Sequence, residues 1–424
     1  MGAAVDDVPV SERLLAYVYH PRSFPTLLLS EAARGLCKLL WIVDTSNEEQ
    51  ASMQRLLRKL GTVVDINGLG MDDAAVAIAQ FEPDGILTLA DDNLRLCAEL
   101  ASRLGLTFHS PETALVLTDK HLQRAALERA GLEVPRSWVI SPIDYQTTWS
   151  TIEHEVKYPA VLKPRRGEAS RDTVLVNSSE ELGELIEEHL ASGEREFVIE
   201  EFIPDALPGV AGDGFAGYVS VESFVVDGTV MHLAVNGRMP PAFPFRETGF
   251  FIPSCLDDEL AQAVLDVATE AIRAMDVTTG CFHTEIKLTP DGPVVIEVNG
   301  RIGGGVPEML LAATGVDFLK ISMSLALGDT VDTGDLPPAP CVAYLFYVHA
   351  PTEMRRIIAV EGLDELRAMD GVQEVILNRG PGQSVDWREG NHGYVFSVFG
   401  TAADHEGVRL IDRANRFVVK IVGE

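Results

Sequence analysis

Cysteine is scarce in this sequence, and its scarcity and placement exclude several protein classes. The five cysteines are odd in number and are scattered without the spacing of a metal site. Reduced thiols in a cytoplasmic protein fit this pattern best. No stretch approaches the roughly 18 consecutive apolar residues of a membrane helix. The N-terminus shows no cationic leader followed by an apolar run. We therefore expect a cytoplasmic protein without a membrane partner.

Positive charge is also in short supply. The chain has 34 Lys and Arg residues against 64 Asp and Glu residues, which gives a formal net charge of −30. Nucleic acid is bound by basic patches, so it is not expected as a partner. No Gly-x-Gly-x-x-Gly opens the first helix, as it would in a dinucleotide-binding fold, and the chain lacks the Gly-Lys-Ser/Thr of a Walker loop. Any phosphate site must therefore bring Lys or Arg side chains together locally.

The chain has 424 residues, 46% of them hydrophobic, which indicates a globular protein with two to four structural units. Its first part alternates the apolar runs Leu36–Val43, Thr62–Ile66 and Asp84–Ala90 with helical segments. This alternation predicts a parallel sheet with helices on both faces. Asp91 and Asp92 follow the last run, where ligands of such sheets bind. An aspartate at a helix N-cap is commonplace, however, and capping is the favoured interpretation for either one.

The stretch from Gly280 to Gly305 carries the strongest functional pattern. Two alternating apolar runs, Phe282–Leu288 and Val294–Val298, flank a Pro-Asp-Gly turn and predict a β-hairpin with a three-residue loop.

If Thr289 pairs with Pro293, then Glu285 lies opposite Glu297. Like charges placed opposite each other are destabilising, which indicates a cation between them.

Side chains alternate along a strand, so Asn299 and Arg301 share the face of Glu297. Carboxylate and amide oxygens suit Mg²⁺, which completes its octahedron with phosphates and water. Arg301 would then face a transferring phosphoryl group. The alternative is an exposed hairpin with solvated glutamates, which does not explain why an amide, an arginine and three glycines converge there.

The residues E-I-K-L followed by I-E-V-N-G-R-I-G-G-G resemble the metal-binding hairpin of the ATP-grasp superfamily, in particular its bacterial L-amino-acid ligases and other carboxylate–amine ligases. The resemblance implies ATP and Mg²⁺ or Mn²⁺ as cofactors. It implies Glu285, Glu297 and Asn299 as metal ligands, and Arg301 as the group that steadies an acyl phosphate. It also implies a fold with a Rossmann-like preATP-grasp domain (1–117), an ATP-grasp domain (118–330, with a mobile lid at about 138–205) and a small C-terminal α+β domain (331–424).

The phosphate-binding residues are expected in two places. Lys120 opens a segment that looks like the linker helix of ATP-grasp enzymes, whose lysine contacts ATP. Lys163 ends an apolar strand, so it points at solvent or at an anion. The small residues of the loop after it, among them Ala169 and Ser170 beside Glu168, allow backbone N–H groups to close over phosphates.

Two further groups of residues are assigned through the resemblance. Glu200, Glu201 and Ile203 fall on the strand that receives adenine in the family, and Asp205 is its candidate ribose partner. Glu247 lies in an E-x-G motif among aromatic residues and becomes a candidate for holding the ammonium group of a substrate. A salt bridge between neighbouring elements is an equally good interpretation of Glu247.

These expectations converge on a ligase that joins a small carboxylic acid to the amine of an amino acid. An acyl phosphate forms, ADP and phosphate leave, and the product is an amide or dipeptide. Another ATP-grasp enzyme, of the carboxylase or purine-pathway type, and a non-catalytic ATP-binding protein are the alternatives. The C-terminal unit shows no chemistry of its own. His283 is interpreted as structural, with a role beside the substrate as the alternative. A homodimer is left open.

Overall fold

The computed structural model describes residues 12–141, 145–192, 196–204, 209–331 and 338–424. Its first sheet is parallel, with strand order β3-β2-β1-β4. The strands and helices of this part are β1 (Leu14–Val18), α1 (Thr26–Ala33), β2 (Lys38–Val43), α2 (Glu48–Leu60), β3 (Thr62–Asp65), α3 (Met71–Ala79), β4 (Gly85–Leu87), α4 (Asp91–Leu104) and α5 (Pro111–Leu117).

The parallel arrangement confirms the predicted α/β class of this part. The sequence interpretation missed β1, which pairs with both β2 and β4 and therefore lies inside the sheet. The carboxyl ends of β1 and β4 lead into the segments Arg22–Pro25 and Leu89–Asp91. Ligands bind at this edge of open parallel sheets.

The second sheet is antiparallel, with order β5-β8-β6-β7. The elements here are α6 (Lys120–Arg129), β5 (Ser137–Ile140), α7 (Tyr145–Ile152), β6 (Ala160–Pro164), β7 (Val174–Val176), α8 (Ser179–Ser192) and β8 (Phe197–Glu201). Asp119 caps α6, because its side chain accepts a hydrogen bond from the Leu122 amide. Strand β6 pairs with β8, and this brings the lysine of one strand beside the glutamates of the other.

The third sheet has eight strands in the order β13-β12-β9-β10-β11-β14-β17-β16. Its first half and the covering helices are β9 (Tyr218–Val226), β10 (Thr229–Arg238), β11 (Gly249–Ile252), α9 (Asp258–Ala274), β12 (Gly280–Thr289), β13 (Gly292–Asn299), α10 (Val306–Thr314) and α11 (Phe318–Ala326). The C-terminal part adds β14 (Val342–His349), β15 (Ile357–Glu361), α12 (Leu363–Arg367), β16 (Val372–Leu377), a 3₁₀ helix (Trp387–Gly393), β17 (Tyr394–Ala402), α13 (His405–Val418) and β18 (Lys420–Gly423).

Three C-terminal strands, β14, β17 and β16, extend the sheet of the preceding part, because β14 pairs antiparallel with β11. The other two, β15 and β18, form a separate two-stranded sheet. One apolar cluster contains Trp41 of β2, Phe250 of β11, Met309 of α10 and Leu345 of β14. The first sheet and the eight-stranded antiparallel sheet are therefore packed on a common core. The boundaries of the three predicted units stay predictions.

Among the described residues, no single helix is both long and apolar enough to span a bilayer. The pair α10 and α11, whose axes bend by 113°, reaches that length and composition only when taken together.

Candidate active site

Two cavities meet at the hairpin of β12 and β13. The larger has a volume of about 460 Å³ and lies between this hairpin and the β5–β8 sheet. The smaller has a volume of about 330 Å³ and lies toward the carboxyl edge of the first sheet. The side chains and loop residues that line both are Glu168, Ala169, Ser170, Glu247, Glu285 and Glu297.

The register of the hairpin brings Glu285 opposite Glu297, as predicted, although the loop differs from the predicted one. Thr289 pairs with Gly292 rather than with Pro293, so the loop has two residues and not the predicted three. A β-bulge opposite Glu285 then inserts one residue into β13 and restores the expected pairing. The two carboxylates therefore face each other at the junction of the cavities.

This pair of carboxylates can hold a divalent cation. Burial alone would raise the pKa of Glu285, but His283, Arg238 and Arg301 outweigh it and lower the pKa to about 2. Asn299 donates from Nδ2 to the His283 carbonyl at 3.2 Å, so its Oδ1 is the atom left to face a cation.

Two carboxylates and one amide are the expected protein contribution to Mg²⁺, which keeps phosphate and water as its other ligands. No group of three His, Cys, Asp or Glu side chains arranged to hold a metal occurs within the described ranges. Phosphate and water ligands would therefore have to complete the coordination.

The two predicted phosphate-binding lysines both line the larger cavity. Lys120 Nζ lies 2.9 Å from Glu297 Oε1 and donates to the Gly167 carbonyl at 2.7 Å, so it connects the hairpin to the loop after β6. Lys163 Nζ lies 2.7 Å from Glu200 Oε2. Burial lowers the pKa of Lys163, with Glu200 opposing the shift.

Glu200 is held from two sides. Arg124 of α6 donates to both of its oxygens at 3.0 Å, and Lys163 pairs with Oε2. Burial would raise the pKa of Glu200, yet these two cations lower it to about 2. Both oxygens of Glu200 are therefore already used within the protein.

Glu201 is the glutamate of this strand with a free acceptor. Its Oε1 is buried and has no hydrogen-bond partner among the described residues, and the residue lines the larger cavity together with Ile203. An exocyclic amine could supply the missing donor. Asp205, the candidate ribose partner, lies outside the described residues.

The loop after β6 is held by the C-terminal part, which corrects our expectation that this part contributes no chemistry. The Asn391 amide donates to the Ala169 carbonyl at 2.7 Å, and its side chain accepts from the Glu247 amide at 2.7 Å. His392 Nε2 lies 3.5 Å from Glu168 Oε1. Ala169 and Ser170 both have positive φ, at 59° and 54°. The 3₁₀ helix thus fixes the loop that closes over both cavities.

Arg301 is anchored by the first sheet. Its Nε donates to Asp91 Oδ2 at 2.7 Å, and its Nη1 donates to the Ile302 carbonyl at 3.1 Å. Nη2 is left without a hydrogen-bond partner among the described residues, on a side chain that lines the smaller cavity.

Asp91 is the first residue of α4 and makes no capping hydrogen bond, so the capping interpretation is wrong for it. Burial raises the pKa of Asp91 to about 7, and the attraction of Arg301 offsets this only in part.

Arg238, at the end of β10, is buried between two glutamates. Its Nη1 forms an ion pair with Glu247 Oε1, and its Nη2 lies 3.6 Å from Glu285 Oε1. Glu247 therefore makes the salt bridge that was one of its two interpretations, and it also lines both cavities. Its role toward a substrate ammonium stays a prediction.

His283 is satisfied on both ring nitrogens. Nδ1 lies 2.5 Å from Glu222 Oε1 and Nε2 lies 3.0 Å from Arg238 Nη2. Burial alone would lower the pKa of His283, but Glu222 and Glu285 outweigh it and raise the pKa to about 9, so Nδ1 carries a proton toward Glu222. This agrees with the structural interpretation of His283.

Sequence reasoning missed four charged residues of the site: Arg124, Glu222, Arg238 and His392. A signal was available for Glu222, which interrupts an apolar strand, and for Arg238, which ends a strand as Lys163 does. Arg124 and His392 carried no such signal. Arg124 lies in an ordinary amphipathic helix, α6. His392 lies in the C-terminal part, far from the other site residues in sequence.

Comparison with known proteins agrees with this geometry. Residues 156–308 match the family model of the ATP-grasp domain. The chain is similar to the uncharacterized protein y4rH of Sinorhizobium fredii, with 27% identity over 335 residues covering 75% of this chain and 64% of that protein. It is also similar to alanine–anticapsin ligase of Bacillus subtilis, with 25% identity over 289 residues covering 64% of this chain and 60% of the ligase.

A crystal structure of an L-amino acid ligase from Bacillus licheniformis superposes with a TM-score of 0.78 at 22% identity, covering 98% of this chain and 99% of that one. This likeness confirms the predicted fold class. The family match covers residues 156–308, and the likeness of fold extends over nearly the whole chain. This ligase and alanine–anticapsin ligase are both amino-acid ligases. The alignments cover less than two-thirds of the length of the two curated relatives.

Proposed function

We propose that the protein is an ATP-dependent carboxylate–amine ligase that forms an amide or dipeptide from amino-acid substrates. The observation that carries this proposal is the meeting of two cavities at Glu285 and Glu297. The predicted phosphate-binding lysines line one cavity, and Arg301 lines the other. A nucleotide on one side and a carboxylate on the other would bring their reacting groups together at the hairpin.

ATP is assigned to the larger cavity. Lys120 and Lys163 would neutralise its phosphates, while the free acceptor of Glu201 supports an adenine amine at the far end. Glu285, Glu297 and Asn299 would hold Mg²⁺, which in such sites neutralises the charge that develops on the transferring phosphoryl group. The loop at Glu168–Ser170 would exclude water from the reaction.

The substrate acid is assigned to the smaller cavity. Its carboxylate oxygen attacks the terminal phosphorus of ATP, the bond to the bridging oxygen breaks, and ADP leaves. Arg301 is fixed by Asp91 and presents Nη2, a donor suited to the charged oxygens of an acyl phosphate. An amine then attacks the acyl carbon and expels phosphate. The second amino acid is the proposed source of this amine, and Glu247 is its candidate ammonium ligand.

The nucleotide product separates this mechanism from its rivals. We would incubate the protein with ATP, Mg²⁺ and mixed amino acids, and resolve nucleotides and small products by mass spectrometry. ADP together with a new amide supports the ligase. AMP with pyrophosphate indicates adenylation, and a stable phosphorylated product indicates a kinase; either result would overturn the proposal.

A cytoplasmic location and a homodimer belong to the proposal as well. The first rests on five cysteines that are all free thiols. The second is tested by light scattering of the purified chain.

A further inference from the structure

One carboxylate of the smaller cavity lacks a charged partner. The other ionic side chains at this end are matched: Arg238 with Glu247, Arg301 with Asp91, and Glu168 with His392. Glu308 forms no ion pair among the described residues, and its Oε2 is buried without a hydrogen-bond partner. A buried carboxylate without compensation is costly, which indicates that a ligand completes it.

Aromatic rings lie beside this carboxylate. Glu308 is in the first turn of α10, which packs on β14, the strand that carries Tyr347. The rings of Tyr347 and Tyr394 lie 5.0 Å apart, and that of Phe250 lies 5.9 Å from Tyr347. All three line the same cavity as Glu308. The charge of Glu308 contributes to raising the pKa of Tyr347, after burial, Glu247 and Tyr394, so the two groups are close.

The cavity also has room between Arg301 and Glu308. The chain that joins them contains Gly304 and Gly305, both of which line the cavity. A Cβ added at Gly304 would meet nothing within 4 Å. The segment between Arg301 and Glu308 therefore leaves open space at Gly304 for a side chain that extends from a reacting group at Arg301.

We propose that this part of the cavity binds the positively charged side chain of a basic amino-acid substrate, with Glu308 as its counter-ion and Tyr347 and Tyr394 beside it. A cation supplies the missing charge, and it is attracted by the faces of aromatic rings. The inference rests on the proposed function, because it assumes that the reacting group of the substrate lies at Arg301. Burial raises the pKa of Glu308, and a cation bound beside it would favour the charged carboxylate.

Two pairs of amino acids test the effect of a positive side-chain charge: lysine is compared with norleucine, and arginine with citrulline. Each is offered with ATP, Mg²⁺ and alanine, and kcat/KM is measured from ADP release and amide formation. We expect the protein to prefer the charged member of each pair at least tenfold. Glu308→Gln should abolish this preference. Glu374→Gln is the matched control, because Glu374 is an exposed neighbour of Glu308 that lies outside the cavity lining; it should keep the preference.

Equal use of lysine and norleucine by the unmodified protein would overturn the inference while leaving the ligase intact. A Glu308→Gln variant that loses both substrates equally would also overturn it, since Glu308 would then hold the ammonium group that all amino acids share.

If no amide forms with any pair, the proposed function itself fails. The cation site is then tested by binding alone. The rise in the unfolding temperature of the protein is measured with lysine and with norleucine, each in the presence of ADP and Mg²⁺. A larger shift with lysine, lost in Glu308→Gln and kept in Glu374→Gln, supports the cation site. Equal shifts overturn it.

Discussion

Arg301 donates from Nε to Asp91 Oδ2 at 2.7 Å, although the two residues are 210 positions apart in the chain. The contact joins the segment that follows the β12–β13 hairpin to the carboxyl edge of the first sheet. Asp91 thereby sets the direction of the arginine that is proposed to hold the acyl phosphate.

Asp91→Asn should lower turnover without weakening nucleotide binding. The loss of a charge-assisted hydrogen bond is worth about 1.5–3 kcal/mol, which corresponds to about ten- to hundredfold in kcat. Asp92→Asn is the matched control, because the neighbouring side chain is 56% exposed and faces His20. Steady-state ADP release and calorimetry with ADP would check both variants. Equal kcat values in the two would contradict the assignment.

The same variant should alter the dependence of stability on pH. The pKa of Asp91 is about 7 in the folded protein, against about 3.9 in an unfolded chain. The folded state therefore binds this proton more tightly, and the stability that Asp91 contributes declines as pH rises from about 4 to 7. Asp91→Asn should be less destabilising at pH 8 than at pH 5. Thermal unfolding at both pH values tests this, and an equal effect at the two would refute it.

Glu297→Gln should abolish ATP consumption while leaving the fold intact. The substitution removes one charge from the pair of Glu285 and Glu297, and it changes little packing because Gln has nearly the same shape as Glu. Mg²⁺-dependent ADP release is the measurement, with circular dichroism to establish folding. Glu270→Gln, on the exposed face of α9, serves as control and should turn over normally. Normal turnover by folded Glu297→Gln would remove the metal site from consideration.

Lys120→Met and Lys163→Met should each weaken ATP binding. Each lysine would donate a hydrogen bond to a charged phosphate, and losing one costs about 1.5–3 kcal/mol of binding free energy. Lys320→Met, an exposed position on α11, is the control and should bind as the unmodified protein does. Isothermal titration on the folded fraction is needed, since Lys163 also supports Glu200. Unchanged affinity in both variants would be incompatible with the phosphate assignment.

Glu200→Gln should destabilise the protein by about 3–5 kcal/mol, because it leaves Arg124 and Lys163 buried without their common counter-charge. Its pKa of about 2 lies below the unfolded value, so its contribution persists at neutral pH and is lost only as pH falls toward 2. Chemical denaturation at pH 7 would measure the effect. Glu201→Gln should change stability much less, and similar losses in both variants would contradict this account.

The parts of the fold that local pattern controls were predictable. The hairpin of β12 and β13 follows from two-residue alternation, and so does the shared face of Glu285, Glu297 and Asn299. The loop prediction was wrong by one residue, because the choice between a two- and a three-residue turn depends on where a bulge forms. Strand β1 was missed because a five-residue apolar run gives a weak signal without its partners. The pairing of β14 with β11 was not predicted, because pairing between distant strands leaves no local trace.

The sequence by itself determined the chemical groups of the site: two opposed carboxylates, an amide, an arginine, a lysine at a helix start and a lysine at a strand end. Only the tertiary structure decided which of these groups are free to act. It paired Glu200 with Arg124, Arg301 with Asp91 and Glu247 with Arg238, and it brought Asn391 against the loop after β6. The physical reason is that a strand's side-chain period is fixed by its backbone, whereas the partner of a buried charge is chosen by the packing of elements that are far apart in the chain.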